Sequence, residues 1–101
     1  MNIKEHLLAC LAEECCEVGQ MANKSLRFGL DDSHPEKPEI GTNLERLIDE
    51  LNDLDTVILV LEEENIIPKN WRDYKKRSAK LKKIAHYTEH AIKSGALCKE
   101  S

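Results

Sequence analysis

Two runs of apolar residues fall at alternating three- and four-residue spacing. The first is Leu8, Leu11, Cys15, Val18, Ala22 and Ser25. The second is Leu44, Leu47, Leu51, Leu54, Ile58 and Leu61. That period marks one face of an α-helix, and each run sustains it for about five turns. No segment shows the two-residue alternation of a strand, so the chain is constrained to an all-α fold. The runs predict a helix from Ile3 to about Phe28, stopped by Gly29, and a second helix from Thr42 to about Glu64. Thr42 followed three residues later by Glu45 fits a capping box. The intervening loop, residues 30–41, contains Pro35 and Pro38 and is long for a link between two strong helices. Pro68 suits the first turn of a third helix over about 68–84, with Trp71, Tyr74, Ala79, Leu81 and Ile84 as packing anchors. The pattern can continue to Lys93, and Gly95 is a stop. Together these predict one domain over residues 1–101, a helical bundle of long antiparallel helices. A chain this short and this charged, with 34% Asp, Glu, Lys and Arg, is expected to complete its core by oligomerising.

The same stretches carry paired acids. Glu14 and Glu17 are three residues apart, as are Glu50 and Asp53, and residues so spaced share a helix face. Each acid directly precedes an apolar residue of its run: Cys15, Val18, Leu51 and Leu54. Each pair is therefore rotated by about 100° from its own apolar stripe, on the shoulder of the packed face. Antiparallel packing of the two helices would bring four carboxylates into one region. Two unit charges 4 Å apart repel by roughly 4 kcal/mol at an effective dielectric of about 20, so such a cluster calls for cations or protons. All-oxygen donors favour Mg²⁺, Mn²⁺ or Ca²⁺. Glu13 and Asp49 flank the pairs, where they can hold or activate a water.

The charge distribution agrees. Residues 1–64 carry 16 acidic and 5 basic side chains, whereas residues 65–101 carry 3 acidic and 10 basic. The acidic part suits a cation, and the basic part suits an anionic ligand or packing against the acidic part. The longest apolar run, Val57-Ile58-Leu59-Val60-Leu61, is far short of the roughly 20 residues that span a bilayer. Residues 1–12 include Lys4, Glu5 and His6 and show no signal-peptide core, which predicts a soluble, cytoplasmic protein without membrane contact. The four cysteines include no Cys-x-x-Cys pair and read as reduced, mostly buried packing residues, although His6 and Cys10 have ligand spacing.

With these residues in view, Glu13-Glu14-x-x-Glu17 followed by Asp49-Glu50-Leu51-Asn52-Asp53-Leu54 resembles the paired acidic motifs of MazG-like all-α nucleoside-triphosphate pyrophosphohydrolases. The Lys24-Ser25-Leu26-Arg27-Phe28-Gly29-Leu30 stretch and Thr42-Asn43-x-x-Arg46 are similar to small phage-type members. The resemblance covers about residues 7–65. It implies a Mg²⁺-dependent enzyme, with Mn²⁺ as substitute, that cleaves a (deoxy)nucleoside triphosphate to the monophosphate and pyrophosphate. A purine deoxynucleotide such as dGTP is the expected substrate. Glu14, Glu17, Glu50 and Asp53 would hold metal. Water would attack the α- or β-phosphorus in line, with Glu13 or a ligand such as Glu50 taking its proton. Lys24 and Arg27 would meet the triphosphate and Asn43 the sugar or base. Lys76 and Lys80, in the basic region 68–94, would add further phosphate contacts. A homodimer or homotetramer is expected, in the host cytoplasm if the chain is phage-encoded. The contrasting expectation is a helical oligomer that binds nucleic acid or regulates without catalysis, and the strongly acidic first two helices argue against a broad nucleic-acid face.

Overall fold

The structure is a computed structural model, and it describes residues 1–98. It is all-helical and falls into two compact units, Met1–Lys69 and Asn70–Ser101. The first unit contains α1 (Ile3–Phe28), one turn of 3-10 helix (Pro38–Ile40) and α2 (Asn43–Glu63). The second is built on α3 (Tyr74–Lys93).

Local chemistry sets the helix boundaries. Asn2 caps α1 by accepting a hydrogen bond from the Glu5 amide at 2.8 Å. At the other end Gly29 adopts φ 96°, open to glycine at little steric expense, and its amide donates to the Ser25 carbonyl. Thr42 and Glu45 form the expected capping box: the Glu45 amide donates to Thr42 Oγ1, and the Thr42 amide donates to Glu45 Oε1. Caps of this kind contribute about 1 kcal/mol. The loop between the helices is pinned to α2. The amides of Asn43 and Leu44 donate to the carbonyls of Asp32 and Leu30, and Ser33 bridges to Thr42.

α1 and α2 pack as an antiparallel pair, with Met21 and Leu61 buried between them at 4% and 1% exposed. Burial of each such side chain contributes roughly 1.5–3 kcal/mol. The face of α1 turned inward carries Leu7, Leu11, Glu14, Glu17, Val18, Met21 and Ser25, and that of α2 carries Asn43, Leu47, Glu50, Leu54, Val57 and Leu61. This corrects the expected register. The inward face is rotated toward the acids, so Glu14, Glu17 and Glu50 lie in the helix–helix seam itself instead of on its shoulder. Leu8, Cys15, Ala22, Leu44 and Leu51, expected inside, are exposed. Each helix has a broad apolar arc, and the contact within one chain uses only one edge of it. The same rotation overturns the expectation of buried cysteines: Cys10 is half-buried, while Cys15, Cys16 and Cys98 are exposed.

In the second unit, α3 starts at Tyr74 and not near Pro68. Asp73 is the cap, its Oδ1 accepting from the amides of Lys75 at 2.9 Å and Lys76 at 3.1 Å. A carboxylate satisfies two of the otherwise unpaired first-turn amides, which a proline cannot do. The helix runs without a break to Lys93, and Gly95, at φ 84°, stops it as expected. Trp71, Tyr74, Leu81 and Ile84, expected as packing anchors, are all exposed, with Arg77 lying over the Tyr74 ring. No helix among the described residues is long and apolar enough to cross a membrane.

Candidate metal centre and adjoining cavity

The 3.6-residue repeat brings Glu14 and Glu17 to one side of α1, and Glu50 and Asp53 to one side of α2. The antiparallel pairing then sets the two sides against each other. Glu14, Glu50 and Asp53 each offer a carboxylate oxygen, and these oxygens lie within 4.8 Å of one another. Bonds of about 2.0–2.6 Å to a hard cation place oxygens on opposite sides of it roughly 4–5 Å apart, so the spacing suits a shared divalent ion. Glu17 is outside that trio of oxygens and hydrogen-bonds with Glu50.

The electrostatics show how poorly these carboxylates are compensated. Glu14 is held above the ordinary carboxyl range by desolvation and then by the charges of Glu17, Asp53 and Glu13. Glu50 is raised first by its hydrogen bond with Glu17, then by desolvation and by the charges of Glu17, Asp53 and Glu14. No neighbouring group pulls either one down. One oxygen of each, Oε2 of Glu14 and Oε2 of Glu50, is shielded from solvent and has no hydrogen-bond partner among the described residues. Shielded polar atoms are nearly always satisfied, so two orphaned carboxylate oxygens in one cluster are a chemical fit for a cation. The residues present fit a divalent metal. Glu13 is exposed, outside the inward face but close enough to raise Glu14.

Beside this cluster, toward the loop, lies a cavity of about 380 Å³ whose wall includes Lys24, Phe28, Asp32, His34, Asn43 and Arg46. Lys24 is two turns along α1 from Glu17, about 10 Å, and Arg46 is one turn along α2 from Glu50, about 6 Å. Lys24 and Asn43, both expected at a substrate site, are therefore brought together. Asn43 is 4% exposed and also has a structural task, its Nδ2 donating to the Gly29 carbonyl at 2.9 Å and tying the two helix ends together. Arg27 is not on the cavity wall; its guanidinium lies 4.8 Å from the Phe28 ring centroid. Lys76 and Lys80 belong to the second unit. Lys76 lines a recess with Trp71 and Arg77, and Lys80 lines a groove with Ile84, Tyr87 and Leu97.

Asp32, His34 and Arg46 were not singled out as site residues by sequence reasoning. Asp32 and His34 sit in a loop whose course periodicity does not encode. Arg46 stood in a motif without an assigned role, although its distance of one turn from Glu50 was readable. No protein-family model, curated protein or solved structure matches the chain.

Proposed function

We propose that the chain is a metal-dependent nucleotide pyrophosphohydrolase of the MazG-like kind, converting a (deoxy)nucleoside triphosphate to the monophosphate and pyrophosphate. The observation that carries this reading is the convergence of Glu14, Glu50 and Asp53 with two orphaned, shielded oxygens. Glu14, Glu17, Glu50 and Asp53 would hold Mg²⁺ or Mn²⁺. When bound, such an ion neutralises phosphate oxygens and lowers the pKa of a coordinated water. The chain's own residues do the rest. Lys24 and Arg46 meet phosphate charge between the carboxylates and the cavity. Glu13, or Glu50 where it is not fully engaged, takes the proton of the attacking water as the α–β phosphoanhydride bond breaks.

The test is a panel of the canonical NTPs and dNTPs with Mg²⁺, with products resolved. The expected outcome is monophosphate and pyrophosphate from at least one of them. Inorganic phosphate as the sole phosphate product, or no turnover with any nucleotide, contradicts the reading.

The active species is a homodimer or homotetramer. Leu8 on α1 and Leu44, Ile48 and Leu51 on α2 are exposed apolar side chains that association of copies would cover. Sedimentation equilibrium is expected to give a dimer or tetramer, and Leu51→Glu to lower the association state. A monomeric wild-type protein at micromolar concentration contradicts this.

A further inference from the structure

The cavity beside the carboxylates has a wall of definite chemistry. Phe28 and Pro35 are apolar residues of the lining, and Lys24 and Arg46 are its basic ones. Asp32, an exposed acidic residue, is also among the lining residues. Its backbone is held on both sides: its amide donates to the Gly29 carbonyl at 3.4 Å, and its carbonyl accepts from the Asn43 amide at 2.8 Å. The turn that carries Asp32 is therefore fixed before any ligand arrives, which limits the ordering entropy of binding. His34 is fixed as well, its Nδ1 accepting from the Glu36 amide at 3.1 Å, which leaves Nε2 as the ring nitrogen that carries hydrogen in the neutral side chain.

We propose that this cavity is the nucleobase pocket of the nucleotide site, and that Asp32 selects guanine. The inference rests on the nucleotide reading above and deepens it by assigning the base to a cavity and to the residue that would read it. A base needs a flat apolar slot and a few fixed polar groups, and about 380 Å³ lies within the range of small-molecule pockets. The 6–10 Å along the helices from the acids to Arg46 and Lys24 leaves room for a phosphate chain. An ionised carboxylate only accepts hydrogen bonds, and it offers two oxygens side by side. Guanine is the base whose pairing edge presents two adjacent N–H donors, N1–H and the N2 amino group. Adenine and cytosine set one amino group beside a ring-nitrogen lone pair, which an aspartate repels. Thymine and uracil flank their single N–H with carbonyl oxygens. A bidentate match of this type gives roughly tenfold discrimination or more.

The experiment is titration of the ¹⁵N-labelled full chain, with Mg²⁺ present, by dGMP, dAMP and dIMP; dIMP is guanine's analogue without the 2-amino group. The wild type is expected to bind dGMP roughly tenfold or more tighter than the other two. The amide signals of Asp32, Ser33 and His34 should shift on binding. Asp32→Asn, which replaces one acceptor with a donor, is expected to bring the dGMP-to-dAMP affinity ratio close to one. Phe28→Ala is expected to weaken all three ligands. A preference for dGMP that survives in Asp32→Asn overturns the assignment. So does binding that leaves the loop amides unmoved. If those failures occur while the wild type still releases pyrophosphate from a dNTP, the base pocket lies elsewhere and the nucleotide reading stands. If no nucleotide binds and none is hydrolysed, both fall.

Discussion

Glu50→Gln is expected to lower pyrophosphate release from the preferred nucleotide by roughly 100-fold or more, and to raise the melting temperature of the metal-free protein. The two effects have one cause. Glu50 is hydrogen-bonded to Glu17 and faces the charges of Glu17, Asp53 and Glu14, all of which hold its carboxyl above the usual range. In the metal-free protein the deprotonated cluster is repulsive, and Gln removes a charge while keeping size and a hydrogen-bond donor toward Glu17. With metal, the same charge would be a ligand that Gln replaces poorly. A site kept at the expense of stability behaves in this way. Thermal melts with EDTA and steady-state pyrophosphate assays check both halves. Wild-type turnover in Glu50→Gln removes Glu50 from the site. A lower melting temperature without metal means that the carboxylates are not strained against each other.

The second large effect is on pH dependence. Glu14 and Glu50 hold their protons more tightly in the folded protein than in the unfolded chain. Where they are protonated only in the native state, the unfolded chain binds fewer protons, and stability falls as pH rises. The window runs from the ordinary carboxyl range, about 4, up through the raised values. Glu45 works in the opposite sense at lower pH. The Thr42 amide and hydroxyl stabilise its carboxylate and lower it, so the stability it adds is present above the ordinary range and is lost as pH falls through the lowered value. In EDTA, therefore, the melting temperature should climb from strongly acidic pH and then decline toward neutrality. Millimolar Mg²⁺ would favour the deprotonated form and is expected to remove the decline, since a ligand at 100 times its dissociation constant adds about 2.7 kcal/mol. A flat profile in EDTA from pH 5 to 8, unchanged by Mg²⁺, contradicts the electrostatic account.

Much of this was legible in the residues. The span of α1, its stop at Gly29, the Thr42–Glu45 box and the pairing of Glu14 with Glu50 and Asp53 all follow from spacing and local hydrogen bonding. The rotation of the seam did not. Leu8 and Cys15 on α1, and Leu51 on α2, belong to regular stripes, but periodicity marks an apolar arc without saying which part of it meets a helix of the same chain. The start of α3 turned on a competition between Pro68 and Asp73, and the side chain able to satisfy two amides won. The cavity was invisible because Asp32 and His34 are placed by backbone bonds from the loop to α2 and the loop itself, which no short motif records.

The central claim is that the acidic seam between α1 and α2 holds a divalent cation. Its most direct test is calorimetric titration of Mn²⁺ into the metal-free wild type, Glu14→Gln and Glu50→Gln at neutral pH. The wild type is expected to show a saturable Mn²⁺ site, and both variants are expected to lose it. Equal, non-saturating uptake by all three proteins would contradict the claim.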